Sequence, residues 1–103
     1  MRASYLNEIV ESLPLHDVEI NPSMPTFVTC RIQNCYSFIA HVVLLAPYDH
    51  DIWEERVPVE AGQSISIDCP TGFLIISVFD LAKDALCMCR ATHVSGSFTL
   101  LLS

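Results

Sequence analysis

The chain has 103 residues, of which 51% are hydrophobic and only 17% are charged, and its net charge is −7. This length predicts a single domain, and the apolar content argues against an intrinsically disordered chain. The acidic balance opposes attraction to phosphate backbones and anionic lipid, so binding to nucleic acid is not expected.

Neither a signal peptide nor a membrane-spanning segment is recognisable in the sequence. The N-terminus lacks the apolar region of a signal peptide, and no stretch approaches the roughly 20 apolar residues of a membrane helix. We therefore expect a cytoplasmic protein without membrane association. The five cysteines are then expected to be reduced, and their odd number excludes complete pairing within one chain.

Residues 1–25 are predicted to form a helix and a proline-containing linker that precede a domain over residues 26–103. The helix is expected over residues 4–13, with Ser4 as its N-cap and Pro14 at its end. Its apolar residues recur at the spacing of one helix face, namely Leu6, Ile9, Val10 and Leu13. An extended linker permits this helix to dock on its own domain or on a neighbouring subunit.

From Thr26 onwards the apolar period changes to two, which is typical of strands. Val28, Cys30 and Ile32 share one face, so residues 26–33 predict a strand with one solvated side. A turn is predicted over residues 34–37. The next predicted strand, residues 38–46, is apolar on both faces.

The second half of the chain continues this alternation of strands and turns. A polar loop over residues 47–51 precedes a strand over residues 52–59, in which Pro58 indicates an edge position. Strand-like runs at 65–69 and 73–79 flank Pro70-Thr71-Gly72, a pattern that predicts a hairpin. After a turn at 81–84, two further strands are expected at 85–94 and 98–102.

About seven strands with turns at short, regular intervals predict an all-β fold with a short N-terminal helix. The expected architecture is an antiparallel β-sandwich of immunoglobulin-like or transthyretin-like type, with a barrel as the alternative. Strands 38–46, 73–79 and 98–102 are apolar on both faces, whereas a sandwich buries only one face of each sheet. The surplus apolar surface predicts contact with the helix, with another copy of the chain or with a protein partner.

The densest group of polar and aromatic side chains lies in and beside the 47–51 loop. It comprises Tyr48, Asp49, His50, Asp51 and Trp53. Exposed aromatic residues with polar neighbours are common at protein-binding hot spots, so this group is the predicted binding site. The simpler interpretation is a solvated hairpin loop. Asp49, His50 and Asp51 also have the donor chemistry of a divalent cation site.

The cysteines are the other candidates for chemistry. The spacings Cys30-x4-Cys35 and Cys87-x-Cys89 differ from the Cys-x2-Cys knuckles typical of zinc sites, so no metal site is predicted. We expect four of the thiols to be small apolar core residues: Cys30, Cys69, Cys87 and Cys89.

No known catalytic motif and no phosphate-binding glycine loop is present, and no cofactor is predicted. The function expected from the sequence is a non-enzymatic protein interaction or assembly module, which acts through apolar sheet faces and residues 47–55. The alternative is a metal- or small-ligand-binding domain that uses Asp49-His50-Asp51 or the thiols. A small hydrolase or thiol enzyme that depends on Cys35 is the third class.

Overall fold

A computed structural model describes residues 26–103, and in this part of the chain there are seven β-strands and no helix. The strands are β1 (Phe27–Asn34), β2 (Ala40–Tyr48), β3 (Asp51–Val59), β4 (Ser64–Pro70), β5 (Gly72–Asp80), β6 (Ala85–Val94) and β7 (Phe98–Leu102). The predicted all-β class and strand number are confirmed. The predicted N-terminal helix and linker lie outside the described residues. Within residues 26–103, no helix is long and apolar enough to cross a membrane.

The strands form two sheets, with the orders β4-β1-β7 and β3-β2-β5-β6. Every pairing is antiparallel except that of β1 with β7, which is parallel and places Ile32 opposite Leu100. The strand β3 lies at the edge of its sheet, which confirms the position that Pro58 indicates.

The predicted hairpin across Pro70-Thr71-Gly72 is wrong. The flanking strands belong to different sheets, because β4 pairs with β1 whereas β5 pairs with β2 and β6. The turn carries the chain across the sandwich instead. Gly72 has a φ of 110°, a conformation that glycine adopts far more readily than other residues. The N–H of Thr71 donates to the carbonyl of Thr26 at 2.8 Å, which ties this crossing to the start of β1.

Alternate residues of the two sheets point into one shared core, so the arrangement is sandwich-like. Both sheets contribute buried apolar side chains: Cys30, Ile32, Ala40, Val42, Leu44, Ala46, Val59, Cys69, Leu74, Ile76, Val78, Val94, Leu100 and Leu102. Burial at every second position follows from the strand geometry, in which successive side chains point to opposite faces. The edge strand β7 buries only one of its faces, since Leu101 is 54% exposed.

A second apolar cluster lies on the opposite, outer face of the four-stranded sheet. We call it the outer stripe, and it consists of Val43, Leu45, Phe73, Ile75, Phe79 and Leu86. All six residues belong to β2, β5 and β6. The two central strands β2 and β5 are therefore buried on both faces, in agreement with their mainly apolar sequences, which His41 and Ser77 interrupt.

One buried polar residue joins the two sheets. Asn34, at the end of β1, donates from Nδ2 to the carbonyl oxygens of Phe38 at 2.8 Å and Val59 at 2.9 Å. Its Oδ1 accepts from the N–H of Tyr36 at 2.9 Å. Because donors and acceptor all have partners, the buried amide is well accommodated and fixes the β1–β2 turn against β3.

Candidate functional site

The predicted binding residues lie at the end of the β2–β3 hairpin. Tyr48 and Asp51 form its last pair, so the connection is shorter than the predicted 47–51 loop and consists of Asp49 and His50 alone. Both have positive φ, 47° and 64°. Two such residues in succession make a type I′ turn, whose twist matches that of the flanking strands. The site is therefore a short turn on a continuous hairpin.

An aromatic cluster supports this hairpin from the other sheet. The ring of Phe27, at the start of β1, packs edge-on against Tyr48 with centroids 5.6 Å apart. It lies 6.3 Å from Trp53, again in an edge arrangement. Edge-to-face contacts of this kind add roughly 0.5–1.5 kcal/mol beyond the burial of area. The cluster thus connects both sheets at this end of the sandwich.

Sequence reasoning missed Phe27. The sequence contains a signal for it: Phe27 is a large aromatic residue on the face of β1 that otherwise carries the polar Thr29 and Arg31. An aromatic side chain among polar ones on a solvated strand face indicates a contact with another element or with a partner.

Apolar and acidic groups are both exposed at this end of the β2–β3 hairpin. We define the tip surface as Phe27, Tyr48, Asp49, His50, Asp51, Ile52 and Trp53. Phe27 and Ile52 remain 45% and 41% exposed, whereas Trp53 is half-buried and packs against the shared core. The acidic rim includes Asp49, Asp51 and the neighbouring Glu55, all of them exposed.

The neighbouring basic group is already occupied. Arg56 forms an ion pair with Glu54 on the outer face of β3. Because the pair is well exposed, it contributes little to stability. It does offset the charge of Glu54, so the acidic character of the rim comes from Asp49, Asp51 and Glu55.

The metal-binding alternative has no assembled site in the described part of the chain. Among residues 26–103, no three His, Cys, Asp or Glu side chains come close enough together to hold a metal ion. Asp49, His50 and Asp51 follow one another in the turn, but they do not form such a group of three ligands, either among themselves or with another described residue. Binding of a small ligand there stays a prediction.

The cysteines divide into two buried and three exposed thiols. Cys30 and Cys69 lie in the shared core as predicted, but Cys87 and Cys89 are exposed, so the prediction that they are core residues is wrong. Met88, between them on β6, packs against the shared core, so Cys89 points to the opposite face, where it pairs with Ser77. Cys87 lies at a break in the register between the pairs Val78–Met88 and Phe79–Leu86. Cys35 is exposed in the turn after β1.

Burial makes the two core thiols unreactive. Desolvation, with a smaller contribution from the neighbouring Cys69, raises the pKa of Cys30 to about 12. Burial also raises the pKa of Cys69, assisted by the negative charge of Asp68. Because the thiolate is the nucleophile and the metal ligand, neither residue is suited to thiol chemistry near neutral pH.

Comparisons with protein-family models, with curated proteins and with solved structures find no match for this chain.

Proposed function

We propose that this protein is a non-enzymatic protein-binding module that engages its partner through the tip surface. The observation that supports this proposal is the partial exposure of Phe27, whose ring is held against Tyr48 and Trp53, and of Ile52 on the other face of the same hairpin end. Aromatic and apolar anchors that are already held in place lose little side-chain entropy on binding.

The chemistry of the rim indicates the kind of partner. Asp49, Asp51 and Glu55 are all exposed and add negative charge to this end of the hairpin. Complementary charge mainly increases the association rate and excludes wrong partners. The expected partner is therefore a protein surface with an apolar centre and a basic border.

A pair of matched substitutions tests this proposal. Ile52→Ala removes an exposed aliphatic side chain from the tip surface, and Leu101→Ala removes a comparable one elsewhere. Leu101 pairs with Gln33, six residues beyond Phe27 along β1, a distance of about 20 Å. With each full chain immobilised, we expect Ile52→Ala to weaken binding of the cellular partner about tenfold or more, and Leu101→Ala to leave it unchanged.

The result is measured as the dissociation constant of the protein recovered by the wild-type chain. Equal binding by both variants would place the contact outside the tip surface. Equal loss in both would indicate a general effect of destabilisation. Failure of the wild-type chain to retain any protein would contradict the proposed function itself.

For the type of sandwich, we infer the transthyretin-like rather than the immunoglobulin-like arrangement. In immunoglobulin domains the first strand lies at the edge of its sheet, in the order ABED. Here β1 lies between β4 and β7. The central position of the first strand supports this inference.

A further inference from the structure

The burial of the outer stripe is not explained by the packing of the two sheets. Val43, Ile75 and Phe79 keep only 1%, 2% and 7% of their surface exposed. They point away from the shared core, and the apolar residues that pack with them come from their own sheet. Among residues 26–103, all seven strands belong to the two sheets, so no further strand is available to cover this face.

We propose that residues 4–13 of the same chain form a helix that lies over the outer stripe. This segment has one apolar helix face, made of Leu6, Ile9, Val10 and Leu13. The opposite face is polar, with Asn7, Glu8, Glu11 and Ser12. A helix with this distribution requires an apolar surface to pack against.

The dimensions of the two surfaces agree. A ten-residue helix is about 15 Å long and about 10 Å wide. From Phe73 to Phe79 the stripe runs six residues along β5, about 20 Å. Its two central strands, β2 and β5, are about 5 Å apart, so one helix covers both.

Residues 14–25 are also long enough to connect the start of β1 with a helix over the outer stripe. The carbonyl of Thr26 accepts the N–H of Thr71, so the chain before residue 26 leaves beside the start of β5, the strand that carries Phe73. Residues 14–25 extend up to about 37 Å if they adopt the polyproline conformation that Pro14, Pro22 and Pro25 favour. Passing the second sheet and reaching a helix above it requires about 20 Å, since packed layers are about 10 Å apart.

The burial values favour this occupant over a second copy of the chain. A surface reserved for a partner would remain exposed in an isolated chain. The stripe is instead buried in a single copy. A helix over the outer stripe leaves less uncovered apolar surface on this sheet, and so weakens the sequence-based argument for self-association.

Methyl NMR of the full-length chain tests the proposal directly. We expect nuclear Overhauser effects between the methyl groups of Ile9 and those of Val43 and Ile75. A sample that mixes labelled and unlabelled chains shows whether the contacts lie within one molecule. Absence of these effects, or their appearance between two molecules, would overturn the proposal.

Two substitutions by glutamate provide an independent test. Ile9→Glu places a charge on the apolar helix face, whereas Asn7→Glu places the same residue on the polar face. We expect Ile9→Glu to lower the melting temperature by on the order of 10 °C, because a charge against an apolar surface loses solvation. Asn7→Glu is expected to leave it within about 2 °C. Equal effects of both variants would contradict the assigned helix face.

Discussion

Two of the five cysteines are distinguished from the others by their burial. Cys30 and Cys69 lie in the shared core on adjacent strands, and desolvation raises the pKa of both thiols, that of Cys30 to about 12. In the unfolded chain a thiol loses its proton near pH 9. Between these values the unfolded state binds fewer protons than the folded state, so stability falls as pH rises.

We therefore predict that the free energy of unfolding decreases above about pH 9, by up to about 1.4 kcal/mol per pH unit for each core thiol. Urea unfolding at about pH 8 and about pH 10.5 measures the slope. Cys30→Ala should remove its share of the slope, whereas the same substitution at the exposed Cys35 should not. An unchanged slope in Cys30→Ala would contradict the prediction.

At the residue level, the sequence identified residues with notable side chains, but it did not predict their burial or their contacts. Asn34 was predicted only as a turn residue. Two of its hydrogen bonds are local, to Phe38 and Tyr36, but the third joins it to Val59, 25 residues away, and sequence reasoning did not reach that contact. Cys87 and Cys89 were predicted to be buried because their strand alternates like a core strand. Their exposure depends on which face of β6 meets the shared core: Met88 packs there, and Cys87 and Cys89 do not. Alternation alone does not specify which of the two faces is the inner one.

Among the individual elements, the β2–β3 hairpin has the most demanding backbone. His50 has a φ of 64°, and in the left-handed region a non-glycine residue is less stable by about 1–2 kcal/mol. Type I′ turns favour glycine at this position. The hairpin therefore retains a residue that is not optimal for its stability.

We predict that His50→Gly increases the free energy of unfolding by about 1 kcal/mol. His50→Val should decrease it, because a β-branched residue is least compatible with positive φ. Both changes are measured by urea unfolding. A decrease in His50→Gly would show that the imidazole contributes more than the backbone strain costs. The same variants give a test of whether His50 contributes to partner binding.

Strand positions followed from the sequence, and strand pairing did not. The last two strands, Ala85–Val94 and Phe98–Leu102, lie at the predicted residues because period-two alternation is a local property. Pro70-Thr71-Gly72 correctly marks the boundary between two strands, since β4 ends at Pro70 and β5 begins at Gly72. Turn chemistry does not specify whether the next strand joins the same sheet or the opposite one, and this choice depends on packing across the core. For the same reason Phe27 was not connected with Tyr48 and Trp53.

On the scale of the whole molecule, the connection from β4 to β5 joins the two sheets at Gly72. A Cβ at this position meets no atom within 4 Å, so the only obstacle to a side chain is the φ of 110°. Gly96 also has open space around its Cβ position, and its φ is not in the left-handed region. The two glycines therefore separate backbone strain from steric fit.

We predict that Gly72→Ala lowers the free energy of unfolding by about 1–3 kcal/mol. Gly96→Ala should change it by less than about 0.5 kcal/mol. Thermal or urea unfolding of both variants measures the difference. Similar stabilities would mean that the crossing relaxes at little cost, and that glycine is not required there.

The parallel pairing of β1 with β7 has a consequence for the order of folding. The hairpins β2–β3 and β5–β6 join neighbouring strands across short turns and form on the microsecond scale of such elements. The strand β1 meets β7 only after some 68 residues of intervening chain, since Cys30 pairs with Phe98. During synthesis, the edge of β1 that pairs with β7 therefore has no partner until nearly the whole described chain has left the ribosome. Completion of the three-stranded sheet is expected to be the slow step of folding, because distant contacts are the last to be gained.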